Sequence, residues 1–215
     1  MRYDLVPART ALLVIDMQHG FLDEGASLEV AAGRAIIPTI RSLVDAFRAK
    51  EAPVIFTEFV YADNVPCLRG DPFGVEHLPA VEGEPTGLEH PSSNCLIGPN
   101  AGEGMESAKT VEELAPLPGE LVVQGHTYDK FYGTPLDLSL RSQGITHLVA
   151  TGMTTDVCVS GTVISGTTRD YRVTLATDGV ASPFPDLHEA ALKLLAHKFA
   201  RLKSSAELIE ELDAF

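Results

Sequence analysis

Ala11-Leu12-Leu13-Val14-Ile15 is an unbroken apolar run that stops on Asp16. Runs without polar alternation belong to parallel strands covered on both faces, so Asp16 is expected at a strand's carboxyl end. Ile36, Ile37, Ile40, Leu43, Val44 and Phe47 then recur at helical spacing, with Pro38 expected in the first turn. A second strand is predicted over 53–57, a third from Leu121 to Val123, a fourth over 146–151 and a fifth over 172–176. Between them, Thr134-Pro135-Leu136-Asp137 reads as a helix start, and Gly152 to Cys158 leads into a helical stretch toward Arg169, placing Cys158 in a first turn. Asp186 with Glu189, and Ser204 with Glu207, have the reciprocal capping spacing of two further helices, the first expected to turn Leu187, Ala191 and Leu194/Leu195 inward.

Strands alternating with helices predict an α/β fold, a doubly wound, Rossmann-like parallel sheet flanked by helices on both faces. The pattern breaks only over residues 62–118, which are rich in Pro, Gly and Glu apart from a helical hint at 111–114. They are expected to form a lid or oligomer contact within a single domain spanning 1–215. In doubly wound sheets ligands bind outside the carboxyl ends of the strands, which is where Asp16 and Cys158 fall.

Composition narrows the partners. With 16 Lys+Arg against 30 Asp+Glu the formal charge is −14, which repels phosphate backbones and anionic lipid heads. Neither nucleic acid nor membrane is expected as a partner, and no apolar run approaches the roughly 20 residues of a membrane span. Without a signal-peptide core near the start, a cytoplasmic location is expected. Cys67, Cys95 and Cys158 make neither a paired framework nor a zinc pattern. The sequence also lacks a GxSxG elbow, a phosphate-binding GxxxxGK[ST] loop and a GxGxxG turn after a strand.

A thiol at a helix start faces unpaired N–H groups and the positive end of the helix dipole, which predicts a lowered pKa and a nucleophile. Asp16 is the candidate proton acceptor, and the Gly152–Cys158 turn offers N–H donors for an oxyanion. A buried cysteine that merely packs, and an aspartate that caps a turn, are the competing explanations.

Asp16-Met17-Gln18-His19-Gly20-Phe21 resembles the D-x-Q-x-x-F opening of the isochorismatase-like cysteine hydrolases. Phe131-Tyr132-Gly133-Thr134 with Leu136 and Leu140-Arg141 resembles their middle segment, and Thr151-Gly152-Met153-Thr154-Thr155-Asp156-Val157-Cys158-Val159 their nucleophile turn. The resemblance implies an aspartate, lysine and cysteine acting on amide-like C–N bonds of a small polar molecule through a thioester. It further implies a non-proline cis peptide at Met153–Thr154, the N–H groups of Thr154 and Cys158 as oxyanion hole, substrate contacts from Gln18, Phe21 and Met153, and a homo-oligomer.

Two departures stand out. In an ungapped alignment the family's lysine falls on Gly125. Lys130, in the same strand-to-helix connection, is the nearest cation, with His126 and Asp129 as rivals. The Asp-x-His pair by which many nicotinamidase-like members hold a metal is missing after the second strand, where Thr57-Glu58-Phe59-Val60-Tyr61 stands. No metal and no cofactor are therefore expected. The missing lysine also motivates two other readings, a non-catalytic ligand-binding relative and a redox-responsive thiol protein.

Overall fold

The computed structural model describes residues 3–26, 28–60 and 105–214. Its core is a six-stranded, wholly parallel sheet of β1 (Thr10–Ile15), β2 (Val54–Phe59), β3 (Leu121–Gly125), β4 (His147–Met153), β5 (Arg172–Ala181) and β6 (Arg201–Lys203) in the order 3-2-1-4-5-6. The chain winds outward on one side from β1 to β2 and β3, then crosses back and winds the other way from β4. The order reverses between β1 and β4, the switch point at whose carboxyl ends ligands bind in sheets of this kind.

Both faces of the central strands are apolar because both are covered. Alternate residues Leu12, Val14, Val54 and Phe56 pack under α2 (Ala31–Ala49) and the C-terminal α6 (Ser205–Asp213), with Ile40, Leu43, Phe47, Leu208 and Leu212. Leu13, Ile15, Ile55 and Ala150 pack under α3 (Leu136–Ser142), α4 (Ser160–Thr168) and α5 (Pro185–Lys198). Each such Val, Leu, Ile or Phe side chain, fully buried, contributes about 1.5–3 kcal/mol. All six residues of β1 are buried, which fits the unbroken apolar run.

Several expectations shift. α2 begins at Ala31, so Pro38 lies inside the helix rather than in its first turn. Pro38 is exposed, and the Arg34 carbonyl left without its N–H partner faces the same side, where water can satisfy it. α5 opens with Pro185 at its first position and no side-chain cap, so the Asp186–Glu189 box does not form. Its buried side is Ala191 and Leu195, while Leu187 and Leu194 are exposed at 45% and 50%. The Ser204–Glu207 capping box does form, both hydrogen bonds present. The three-residue β6 was not foreseen.

Most of the expected insertion, residues 62–104, lies outside the described residues. Its returning end makes two short 3₁₀ turns, Glu106–Ala108 and Glu112–Leu114, the latter on the helical hint at 111–114. No helix among the described residues is long and apolar enough to cross a membrane.

Candidate active site

Asp16 follows β1 directly and adopts a left-handed backbone, φ 52°. Aspartate tolerates this region better than most residues, and the turn swings its carboxylate off the sheet edge. The strand register sets Ile15 beside Thr57. The Asp16 N–H donates to the Thr57 carbonyl at 3.1 Å, and Thr57 Oγ1 donates to Asp16 Oδ1 at 2.7 Å.

The other carboxylate oxygen, Oδ2, lies 2.7 Å from Lys130 Nζ, with both side chains only 1% exposed. Lys130 comes from the turn-rich segment between β3 and α3. Its ammonium also donates to the Thr127 carbonyl at 3.0 Å and stands 5.3 Å over the Phe59 ring. The alternatives to Lys130 are otherwise engaged. The His126 ring packs tilted against Phe59, centroids 4.8 Å apart, and the Asp129 carboxylate accepts from the Phe131 N–H and from Ser165 Oγ. A side chain starting on Gly125 would meet Thr134 Cγ2 at 3.0 Å.

Cys158 approaches from β4. Gly152, φ 111°, lets β4 pass against β1, since a Cβ there would sit 2.0 Å from the Ile15 carbonyl oxygen. The Met153–Thr154 peptide bond is cis. Residues Thr155–Val159 then form one wide π turn that runs straight into α4. The N–H groups of Val157 and Val159 both donate to the Thr154 carbonyl, and Thr155 Oγ1 is 2.9 Å from His188 Nδ1 on α5.

The thiol is buried. Burial pushes its pKa well up, the Lys130 ammonium pulls it down, and the Asp16 carboxylate pushes it up again, with the Thr154 N–H a further neighbour that favours thiolate. The net direction is upward, opposite to the lowering expected from a helix start. A desolvated site outweighs the partial charges of the turn. Burial also sets Cys158 apart from redox-sensor cysteines, which are solvent-accessible.

The three residues expected to contact substrate are all buried. Gln18 is fully buried; its Nε2 donates to the Phe59 and Ala108 carbonyls at 3.0 and 2.8 Å, and its Oε1 accepts the Phe59 N–H at 2.7 Å. With its amide spent in this way it braces the site rather than presenting to a ligand. Met153 is 1% exposed, its sulfur against Gly33, and Phe21 belongs to the same core cluster. Glu58 is likewise a brace: Oε1 accepts from the Thr110 N–H and hydroxyl and Oε2 from Gln124 Nε2, pinning the returning segment to β2. Thr57 and Phe59 were missed as neighbours of the charged pair, although the pairing of two strand ends could have pointed to Thr57. No group of three or more His, Cys, Asp or Glu among the described residues is placed to hold a metal ion.

A doubly wound sheet with a carboxylate, an ammonium and a thiol gathered at its switch point has known counterparts. The isochorismatase domain model matches residues 10–207, and the chain belongs to the isochorismatase family of hydrolases. It is 32% identical over 194 residues to the ureidoacrylate amidohydrolase RutB of Methylobacterium radiotolerans, covering 87% of this chain and 73% of that one. Among solved structures it resembles a cysteine hydrolase from Pseudomonas syringae, with TM-score 0.75, 24% identity and coverage of 99% and 96%. The N-carbamoylsarcosine amidase of Thermoplasma acidophilum has the same fold, with TM-score 0.67, 24% identity and coverage of 92% and 96%.

Proposed function

We propose that the chain is a cysteine hydrolase that opens the C–N bond of a small ureido, N-carbamoyl or amide compound through a thioester on Cys158. The observation that carries this reading is the convergence of Asp16, Lys130 and Cys158 in one buried cluster. Relatives named for ureidoacrylate and for N-carbamoylsarcosine support the substrate class.

In this mechanism the Cys158 thiol gives its proton to Asp16 as sulfur attacks the carbonyl carbon. Proton transfer coupled to attack suits a thiol whose pKa is held high at rest. Negative charge moves to the carbonyl oxygen, which the N–H groups of Thr154 and Cys158 receive. The C–N bond then breaks, the leaving nitrogen takes the proton from Asp16, and amine or ammonia departs. Water attacks the thioester with Asp16 as base, the C–S bond breaks, and the proton returns to sulfur. Lys130, 2.7 Å from the Asp16 carboxylate, offsets the negative charge that builds on sulfur. Each step uses only groups of this chain and one water.

The test is a panel of ureido acids, N-carbamoyl amino acids and primary amides, read by ammonia release, with quenched samples weighed intact. The reading expects turnover of at least one compound and an acyl adduct mapped to Cys158. Absence of both throughout the panel, with Cys158→Ala indistinguishable from the unaltered protein, would overturn it.

A further inference from the structure

A lysine acting through the tip of a long side chain is useful only if its backbone is held still. Lys130 sits in the irregular segment between β3 and α3, where its Nζ donates to the Thr127 carbonyl and its own carbonyl accepts from Thr134 Oγ1. Those bonds hold the segment to itself; what ties it to a regular element comes from α4. The Lys130 N–H donates to Thr162 Oγ1 at 3.2 Å, and Thr162 is 1% exposed. Ser165 Oγ donates to Asp129 Oδ2 at 2.6 Å, while Asp129 Oδ1 accepts the Phe131 N–H at 2.8 Å, so the carboxylate of the residue before Lys130 ties the residue after it to α4. Gly161 completes the dock: a Cβ there would lie 3.5 Å from the Tyr128 backbone, so even a methyl group would fill the contact. At the far end Arg169 donates to the Ser165 carbonyl at 3.1 Å and covers the Phe131 ring at 5.0 Å.

Gly161, Thr162, Ser165 and Arg169 lie along one side of α4, and α4 continues without a break from the turn that carries Cys158. Resting on the hydrolase reading above, we propose that Asp129, Thr162 and Ser165 are positioning residues through which α4 sets the Lys130 ammonium against the Cys158 thiol. The thiol and the cation then share one reference body, and the spacing between them does not depend on how β3, an edge strand, moves. Functional constellations hold their geometry best when built on such rigid elements. None of the three needs to touch substrate. Moving Lys130 away would leave the thiol facing Asp16 without its cation, with the Thr154 N–H as its remaining thiolate-favouring neighbour.

The experiment compares Asp129→Ala, Thr162→Val and the conservative Thr162→Ser in the full chain. Two readouts are used: steady-state hydrolysis, and the rate of Cys158 alkylation by iodoacetamide at pH 9, mapped by peptide mass so that Cys67 and Cys95 do not interfere. Asp129→Ala and Thr162→Val should each lower kcat about tenfold with KM little changed, and slow alkylation by a similar factor, equivalent to about one pKa unit on the thiol. Thr162→Ser, which keeps the hydroxyl, should restore both. Alkylation and kcat within about twofold of the unaltered protein in Asp129→Ala and Thr162→Val would overturn the proposal. Thr162→Val is nearly isosteric, so it stands as the measurement if Asp129→Ala does not fold. Alkylation needs no substrate; if no compound is hydrolysed, the hydrolase reading fails while this readout still decides whether Asp129 and Thr162 set the lysine against the thiol.

Discussion

Lys130 Nζ and Asp16 Oδ2 stand 2.7 Å apart with neither side chain more than 1% exposed, so each is the other's main protection against an uncompensated buried charge. Burying two ions costs several kcal/mol apiece, and removing one partner exposes that cost. Lys130→Met should destabilise by about 3–5 kcal/mol in urea unfolding. Asp16→Asn combined with Lys130→Met should recover most of the loss. A cycle in which the two single effects simply add would show that the pair is not coupled.

Cys158→Ala should keep the fold, monitored by circular dichroism, and lower kcat/KM by about 10⁴-fold or more, as expected when a covalent route is removed. In the unaltered protein the thiol should alkylate with a midpoint above the free-cysteine value of about 8.5, because burial and Asp16 outweigh Lys130. A midpoint below 8 would mean that the turn and the lysine dominate instead.

Gly152 stands beside Ile15 in the β1–β4 ladder, with no room for a side chain. Gly152→Ala would place a methyl group 2.0 Å from the Ile15 carbonyl oxygen at φ 111°. The expected loss is at or above about 4 kcal/mol, exceptional for one atom. A thermal melt within a few degrees of the unaltered protein would contradict the packing described between the two strands.

His147, at the opposite end of β4 from the site, is 4% exposed, and its pKa is lowered by burial and by the charges of Arg172, Arg201 and Arg9. Between the folded value and the ordinary value of about 6.5 the unfolded chain binds the extra proton. The contribution of His147 is therefore complete above about pH 6.5 and is lost as pH falls toward and through the folded value. His147→Gln should lose less stability between pH 7.5 and 5.5 than the unaltered protein, measured by urea midpoints. Equal losses would remove His147 as a source of the acid sensitivity.

What the sequence made legible were features whose cause is local. The apolar run ending on Asp16 disclosed β1 and its carboxyl end, and the Ser204–Glu207 spacing disclosed the start of α6. Leu187 and Leu194 read as inward because α5 has apolar residues on more than one side, and only contact with the sheet selects Ala191 and Leu195. Gln18 is expected to contact substrate on the resemblance of Asp16-Met17-Gln18 to the family's opening. Its partners, Phe59 and Ala108, are distant in the chain, so the bracing role could not be seen. Lys130 was legible as a cation of sufficient reach, but its dock on α4 belongs to tertiary structure. The direction of the Cys158 pKa depended on burial, which a helix-start argument leaves out.

The pairing of β1 with β4 has a consequence in time. Thr10 lies beside His147 and Ile15 beside Gly152, so the central ladder joins segments separated by most of the chain. As the polypeptide leaves the ribosome, Ala11-Leu12-Leu13-Val14-Ile15 is made long before the partner that will cover its far edge. Sheets built from such distant parallel pairings gain their stabilising contacts late and fold slowly, with apolar edges available to other chains meanwhile. The strand that places Asp16 is thus also the segment whose early exposure sets how rapidly and at what concentration this protein can be refolded without aggregating.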